Sequence, residues 1–166
     1  MALYRLHRQQ WIPASIQSVW AFFSDAQNLE AITPAKMNFR VTSGSLPQQI
    51  YPGQIITYRV SPLLGIPLFW MTEITAVQEG KMFVDEQRRG PYSLWHHQHH
   101  FEEKDGGVLM TDLVHYEVPL GPLGRLADAL IIRKELQTIF DFRTRVVAKQ
   151  FGGTAENTVR ELVRVA

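Results

Sequence analysis

The sequence contains no cysteine. This absence excludes thiol nucleophiles, disulfide bonds and thiolate metal sites, and it fits a reducing compartment. Long apolar runs are also missing, since no window approaches the roughly 18 uninterrupted apolar residues of a membrane span. The first residues, MALYRLHRQQW, are interrupted by charged and polar side chains and so do not resemble a signal peptide. We therefore expect a cytoplasmic protein without integral membrane association.

Neither sign of charge is in excess, because 17 Lys and Arg residues stand against 16 Asp and Glu residues. The basic residues are scattered, and like charges form no long run. Nucleic acid and anionic membrane surfaces are therefore not expected as partners. The hydrophobic fraction of 45% and the charged fraction of 20% are ordinary for a globular domain, and 166 residues suit a single core.

The first two thirds of the chain alternate apolar and polar residues in the manner of strands. Residues 3–12 form the first such segment, and Ser15 and Asp25 are suitable N-caps for two short helices that follow it. Turn signals then separate the remaining strand-like segments, which are 36–43, 54–60, 66–78, 81–89, 92–103 and 108–118. Short turns between such segments predict a curved antiparallel sheet of about six to seven strands.

The last third of the chain changes to helical periodicity. Apolar residues recur at spacings of three and four from Gly121 to about Phe151, and a Gly-Gly pair ends the pattern. A helix of that length can lie across the concave face of the sheet. The sequence thus predicts a single α+β domain over residues 1–152. The tail, 153–166, is expected to form a weak turn or to be disordered.

Four stretches of this chain are similar to those of a known superfamily. They are PLFWMTEI (67–74), FVDEQRRGPYSLWHHQHHF (83–101), TDLVHYEVPLGPLG (111–124) and IFDFRTR (139–145). Together they resemble the START/Bet v 1-like superfamily, also called SRPBCC, and in particular its bacterial, uncharacterised and polyketide cyclase-like branch. The resemblance implies a helix-grip fold with a cavity between the sheet and the C-terminal helix. Members bind lipids, sterols, polyketides and plant hormones, and some are enzymes, so the resemblance implies no particular chemistry.

Four of the six histidines lie within five residues, in the stretch SLWHHQHHFEEKDGG that begins at Ser93. Side chains alternate along a strand, so His97 and His99 share one face, and His96 and His100 share the other. Large aromatic residues flank the first pair and charged residues flank the second. We therefore expect His97 and His99 to face the cavity, and His96 and His100 to face solvent.

A carboxylate on the next strand is the expected partner of the inward histidines. Asp112 interrupts an otherwise apolar row, and an unpaired buried carboxylate is costly. The turn at 105–107 pairs this strand with the strand of His97 and His99, either of which can neutralise the charge. With the polar residues of neighbouring strands and the aromatic walls, the expected ligand-binding residues are Trp70, Phe83, Asp85, Gln87, Trp95, His97, His99, Phe101, Met110, Asp112, Tyr116, Phe140 and Arg143. Phe140 and Arg143 are included because the resemblance places this side of the helix against the sheet.

Three interpretations of these polar residues remain open at this point. They form a structural network that fixes strand register, or they orient the polar end of an apolar ligand, or they catalyse a reaction. In the catalytic case His97 or His99 is the general base and Asp112 orients it, as in a polyketide cyclase or dehydratase. No metal is expected, since the His-x-His motif is short, and no cofactor is expected because no phosphate-binding loop occurs.

Binding of a small hydrophobic molecule, such as a lipid, a polyketide or another apolar metabolite, is the leading functional hypothesis. The enzyme described above is the alternative, and an interaction module with a vestigial cavity is a third class. The sequence leaves the oligomeric state and the identity of the ligand open.

Overall fold

An eight-stranded antiparallel sheet is the main element of the computed structural model, which describes residues 2–61, 65–156 and 159–166. The strands are β1 (Leu3–Ile12), β2 (Arg40–Val41), β3 (Ile55–Val60), β4 (Leu68–Gln78), β5 (Met82–Arg89), β6 (Leu94–Lys104), β7 (Gly107–Glu117) and β8 (Val159–Arg164). Their order across the sheet is β2-β3-β4-β5-β6-β7-β1-β8. Neighbours from β2 to β7 are also consecutive in the chain, as the hairpin signals predict.

The helices lie after β1 and at the end of the chain. Helix α1 covers Ile16–Phe23 and is followed by two 3₁₀ turns, Ala26–Leu29 and Ala35–Met37. Helix α2 (Gly121–Ala127), a π-helical turn (Asp128–Ile132) and helix α3 (Arg133–Phe151) then form one continuous helix of 31 residues. This arrangement confirms the predicted α+β class and the long C-terminal helix. Within the described ranges, every helix is too short or too polar to cross a bilayer.

The predicted helix boundaries follow from local capping. Ser15 accepts a hydrogen bond from the backbone N–H of Ser18, and Asp25 accepts one from that of Gln27. At the other end of the chain Gly152 has a φ of +79° and donates its N–H to the carbonyl of Ala148. This left-handed conformation ends the long helix and favours glycine.

The hairpin of β6 and β7 sets the geometry of the histidines. Asp105 and Gly106 have φ values of +53° and +74°, as a two-residue turn with the twist of the flanking strands requires. The resulting register places His99 directly opposite Asp112, and His97 opposite Val114. The predicted pairing of these two strands is therefore confirmed.

Two segments differ from the sequence-based expectation. The strand expected over 36–43 is reduced to Arg40–Val41, because Asn38 adopts a left-handed conformation (φ +44°) at the end of the second 3₁₀ turn. The tail expected to be a turn or disordered instead contributes β8, which pairs with the free edge of β1, and Leu162 packs against the core there. Residues 157 and 158 of this tail lie outside the described residues.

Two clusters of buried side chains hold the helices against the sheet. In the first, Trp20 of α1 packs edge-on against Phe83 and Phe101 of the sheet. In the second, Tyr4 and Tyr116 stack on each other beside the middle of the long helix. The space between these two clusters is where the cavity lies.

Candidate functional site

A cavity of about 180 Å³ lies between the concave face of the sheet and helix α3. Its wall is mainly apolar and aromatic. The lining residues are Phe23, Ala26, Leu29, Ile32, Thr33, Met37, Phe39, Ile50, Ile56, Tyr58, Val60, Trp70, Thr72, Ile74, Phe83, Asp85, Tyr92, Trp95, His97, His99, Leu136, Ile139, Phe140 and Arg143. A concave, mostly apolar site with a few convergent polar groups is the usual form of a small-molecule site.

Strand alternation puts two histidines on the cavity wall, as expected. His97 and His99 are 6% and 4% exposed, whereas His96 and His100 lie half-buried on the opposite face. The inward rings have their centroids 3.7 Å apart and are tilted by 37° to each other, and the His99 ring stacks on Phe83 at 3.9 Å. The two imidazoles thus lie side by side at one place in an apolar wall.

Two carboxylates lie on either side of this imidazole pair. Asp85 Oδ2 is 2.7 Å from His99 Nε2 and 3.4 Å from His97 Nδ1. Asp112 Oδ1 is 3.0 Å from His97 Nε2 and 3.1 Å from His99 Nδ1. Each imidazole therefore has one nitrogen directed at each carboxylate.

Arg143 completes the cluster from helix α3. Its guanidinium donates from Nη2 to His99 Nδ1 at 3.2 Å, and the same nitrogen forms an ion pair with Asp112 Oδ1 at 3.2 Å. The side chain is sandwiched by cation–π contacts with Phe23 and Phe140, at 5.0 and 5.8 Å from the ring centres. We refer to Asp85, His97, His99, Asp112 and Arg143 as the polar cluster.

Burial and neighbouring charges shift the protonation of the polar cluster. Burial alone would raise the pKa of Asp112, but the positive charge of Arg143, the hydrogen bond from His97 and the contact with His99 hold it well below its usual range. Burial likewise opposes ionisation of Asp85, and the histidines outweigh it, so the pKa of Asp85 is also lowered. Burial lowers the pKa of His97 to about 4, and the adjacent His99 acts in the same direction. Both carboxylates are therefore ionised at neutral pH, and His97 is neutral.

Most of the residues expected at the site do line the cavity. These are Trp70, Phe83, Asp85, Trp95, His97, His99, Phe140 and Arg143. The predicted contact between Asp112 and the histidines is present, although Asp112 lies behind them and does not form part of the lining. Its position supports the histidine rings from the side away from the cavity.

The remaining expected residues are used elsewhere in the fold. The side-chain amide of Gln87 is bonded to both backbone groups of Tyr92, which ties down the loop before β6. Phe101 and Met110 are covered by α1 and belong to the first core cluster. Tyr116 donates its hydroxyl to Asp128 Oδ1 at 2.8 Å, on the π-helical turn. Strand alternation assigns these four residues to the concave face of the sheet, as observed. It does not show which part of that face is covered by helices and which part lines the cavity.

Several lining residues were not singled out from the sequence. Tyr58 and Tyr92 flank Trp70, with ring centres 5.9 and 5.6 Å from its own, and form an aromatic wall. The hydroxyls of Tyr58 and Thr72 are hydrogen-bonded to each other. Tyr58 alternates correctly on β3, so the same strand argument could have found it. Tyr92 lies in a loop before β6, where periodicity carries no information.

General-base catalysis by His97 is not favoured by this environment. A base works well when its pKa is near the operating pH, and a pKa of about 4 makes His97 a weak proton acceptor at neutral pH. Its two nitrogens also face buried carboxylates, 3.0 and 3.4 Å away. Both features oppose the removal of a substrate proton by His97 at neutral pH.

Comparisons with known proteins identify the fold. No family model matches the chain, and no curated protein matches it. Among solved structures, TTHA0849 from Thermus thermophilus is similar with 15% identity and a TM-score of 0.67, over 89% of this chain and 96% of that one. Major latex-like protein 151 from Panax ginseng is similar with 16% identity and a TM-score of 0.65, over 90% and 97%. Ara h 8.0201 is similar with 15% identity and a TM-score of 0.58, over 88% and 99%.

These similarities confirm the helix-grip fold that the resemblance to the START/Bet v 1-like superfamily implies. At such low identity they concern the fold, and the site has to be interpreted from its own residues.

Proposed function

We propose that this protein binds a small, largely apolar molecule in the cavity between its sheet and helix α3, with the polar end of the molecule at the polar cluster. The observation that carries the proposal is the contrast within one cavity. Aromatic and aliphatic side chains form most of the wall, and Asp85, His97, His99 and Arg143 meet at one place on it.

The apolar wall favours a hydrophobic ligand for a physical reason. Each Å² of apolar surface removed from water contributes roughly 25 cal/mol, and aromatic walls add contacts with planar or chain-like ligands. Trp70, Trp95 and Phe140 provide such surfaces around the cavity. A ligand that covers them replaces water at a surface that is poorly hydrated.

Arg143 supports the expectation that the ligand has a polar end. Its Nε is buried and has no hydrogen-bond partner among the described residues, although its Nη2 donates to His99 and forms an ion pair with Asp112. A buried donor without an acceptor is unfavourable by roughly 1–3 kcal/mol. A carboxylate, carbonyl or hydroxyl oxygen on a bound ligand would satisfy this donor and fix the orientation of the ligand.

A fluorescent-probe assay tests the proposal. The probe is 1-anilinonaphthalene-8-sulfonate, whose emission rises in apolar sites, and the competitors are fatty acids and aromatic polyketide-like phenols. Ile139 lines the cavity from α3, so Ile139→Trp should fill it and abolish probe binding. Ile131 lies on the same helical run but is 47% exposed, so Ile131→Trp is the matched control and should bind the probe normally.

The two variants also define the contradictory result. If Ile139→Trp binds the probe as well as the wild-type protein does, the probe does not occupy this cavity and the proposal is wrong.

A second experiment, native mass spectrometry of gently purified protein compared with its denatured mass, identifies the natural ligand. A bound species of a few hundred daltons that is missing from Ile139→Trp is the expected result.

A further inference from the structure

The polar cluster places His97 between two carboxylates. His97 has carboxylate oxygens at both of its nitrogens, Asp112 Oδ1 at 3.0 Å from Nε2 and Asp85 Oδ2 at 3.4 Å from Nδ1. A neutral imidazole has one N–H and one lone pair. With the proton on Nε2, which has the shorter contact, the lone pair of Nδ1 faces the charged oxygen of Asp85. A second ring proton or a metal ion between these two atoms removes the repulsion.

A third ligand atom converges on the same point. His99 Nε2 lies 2.7 Å from the same Asp85 oxygen. One donor atom each from Asp85, His97 and His99 can be chosen so that all of them lie within 4.8 Å of one another. Zinc binds imidazole nitrogen and carboxylate oxygen at about 2.0–2.2 Å, so neighbouring ligand atoms around a tetrahedral ion are roughly 3.3 Å apart. The separations of 2.7 and 3.4 Å between the Asp85 oxygen and the two ring nitrogens are close to that spacing.

Asp112 occupies the position of an outer partner for such an ion. Metal-binding histidines usually donate their other N–H to a carboxylate, which fixes the tautomer. Here Asp112 Oδ1 is within reach of the far nitrogen of both rings, His97 Nε2 and His99 Nδ1. Without metal, His99 Nδ1 can accept from Arg143 at 3.2 Å, so binding of an ion requires the His99 proton to move from Nε2 to Nδ1.

The position of Arg143 decides which carboxylate is the ligand. Its guanidinium touches Asp112, and a metal ion on that side would lie beside a permanent cation. Among the described residues, the ion pairs of Asp85 involve only His97 and His99. The Asp85 side also forms part of the cavity wall, whereas Asp112 lies behind the rings. An ion there would keep a coordination position open toward the cavity.

We propose that Asp85, His97 and His99 form a binding site for one divalent first-row transition-metal ion of the zinc type, with Asp112 as the outer partner of both histidines. Two imidazoles and one carboxylate suit zinc, cobalt or iron and do not suit magnesium or calcium, which prefer oxygen ligands. The open position faces the cavity, so the ion can bind an oxygen of a cavity ligand. The metal proposal does not depend on the proposed apolar ligand, since its ligand atoms all belong to the protein.

The test is a titration of chelator-treated, full-length protein with Co²⁺, followed by visible absorption and by displacement with Zn²⁺. We expect saturable binding of one ion per chain, with the intense absorption of a low-symmetry cobalt site. Asp85→Asn preserves shape and removes a charged ligand, and His97→Gln removes an imidazole. Each should weaken binding by at least the roughly 10- to 100-fold loss that follows removal of even an outer partner.

Histidines on the other face of β6 provide the matched controls. His96 and His100 are half-buried on that face, with His96 Nδ1 2.8 Å from Glu86. His96→Gln and His100→Gln should leave Co²⁺ affinity unchanged. If His96→Gln or His100→Gln loses Co²⁺ binding and Asp85→Asn keeps it, the ion binds on the outer face of the sheet and the proposal is wrong. Absence of saturable one-to-one binding by the wild-type protein would also overturn it.

If Asp85→Asn does not fold, the nitrogen chemical shifts of the histidine rings in the wild-type protein provide a second test. Zn²⁺ should shift Nδ1 of His97 and Nε2 of His99 in the wild-type protein, and shifts at the opposite nitrogens would contradict the assignment. The probe assay on metal-free protein addresses the apolar ligand separately. Ile139→Trp blocks the cavity but leaves the three proposed metal ligands in place. If this variant loses probe binding and still binds Co²⁺, the metal site is independent of the apolar ligand.

Discussion

Replacing Asp112 by asparagine should destabilise this protein by several kcal/mol, because this carboxylate is the main negative partner of a buried guanidinium. Its Oδ1 atom is within 3.0–3.2 Å of His97, His99 and Arg143. The asparagine would keep the shape of the side chain but lose the charge.

The size of the effect follows from what is left behind. Removal of one partner of a buried ion pair typically costs 3–5 kcal/mol, since the other charge stays buried without compensation. Arg143 is 8% exposed, but Asp85 remains near enough to interact with it electrostatically. We therefore expect the lower end of that range, about 3 kcal/mol. For a chain of this length each kcal/mol corresponds to roughly 2–4 °C, so the melting temperature should fall by about 6–12 °C.

Urea unfolding followed by circular dichroism measures this loss directly. Glu102→Gln is the matched control, because Glu102 is an exposed carboxylate on the adjacent strand β6. The double variant Asp112→Asn/Arg143→Met removes both charges. Its loss of unfolding free energy should be smaller than the summed losses of the two single variants, with a coupling of roughly 0.5–3 kcal/mol. If Asp112→Asn changes stability by no more than about 0.5 kcal/mol, as an ordinary surface change does, the pairing described here is wrong.

Three further expectations concern pH and packing. Folding lowers the pKa of His97 from 6.5 to about 4, so its contribution to stability is complete above pH 6.5 and is lost as the pH falls toward 4. The loss should amount to roughly 3 kcal/mol, and His97→Gln should flatten the pH dependence of urea unfolding. Gly124→Ala should lower the melting temperature, because the added Cβ would lie 1.9 Å from a carbonyl oxygen, whereas Gly44→Ala has open space and should not. Tyr116→Phe removes a buried hydrogen bond to Asp128 and should cost roughly 1–3 kcal/mol in chemical denaturation; no measurable change would mean that this bond is not formed in solution.

The elements of this fold that obey a simple period were predictable from the sequence. Alternation on β6 separated His97 and His99 from His96 and His100, and the Asp105-Gly106 turn signal paired β6 with β7. These predictions depend on neighbours in the chain, where turn chemistry and side-chain period determine the result.

The features that sequence reasoning missed depend on distant contacts. Strand β8 forms because β1 offers a free edge, and nothing near Val159 indicates that edge. Asp85 was expected at the site, but its bridging of both inward histidines depends on the register between β5 and β6, in which it lies opposite His97. The sequence predicts no metal because the His-x-His motif is short, and it does not show that Asp85 lies beside both inward histidines. Arg143 of helix α3 pairs with Asp112, a contact between distant parts of the chain that no local pattern indicates.

The charge of the polar cluster connects the two proposals. Asp85 and Asp112 contribute two negative charges, which are offset by Arg143 and by the buried Arg8, opposite Asp112 on β1. A divalent ion at Asp85 would add two positive charges to an apolar wall, where an uncompensated charge is unfavourable. The proposed ion therefore favours an anionic oxygen at its open coordination position. A carboxylate or enolate on an otherwise apolar ligand would supply that oxygen, and such a ligand should therefore bind more tightly when the metal is present than when it is absent.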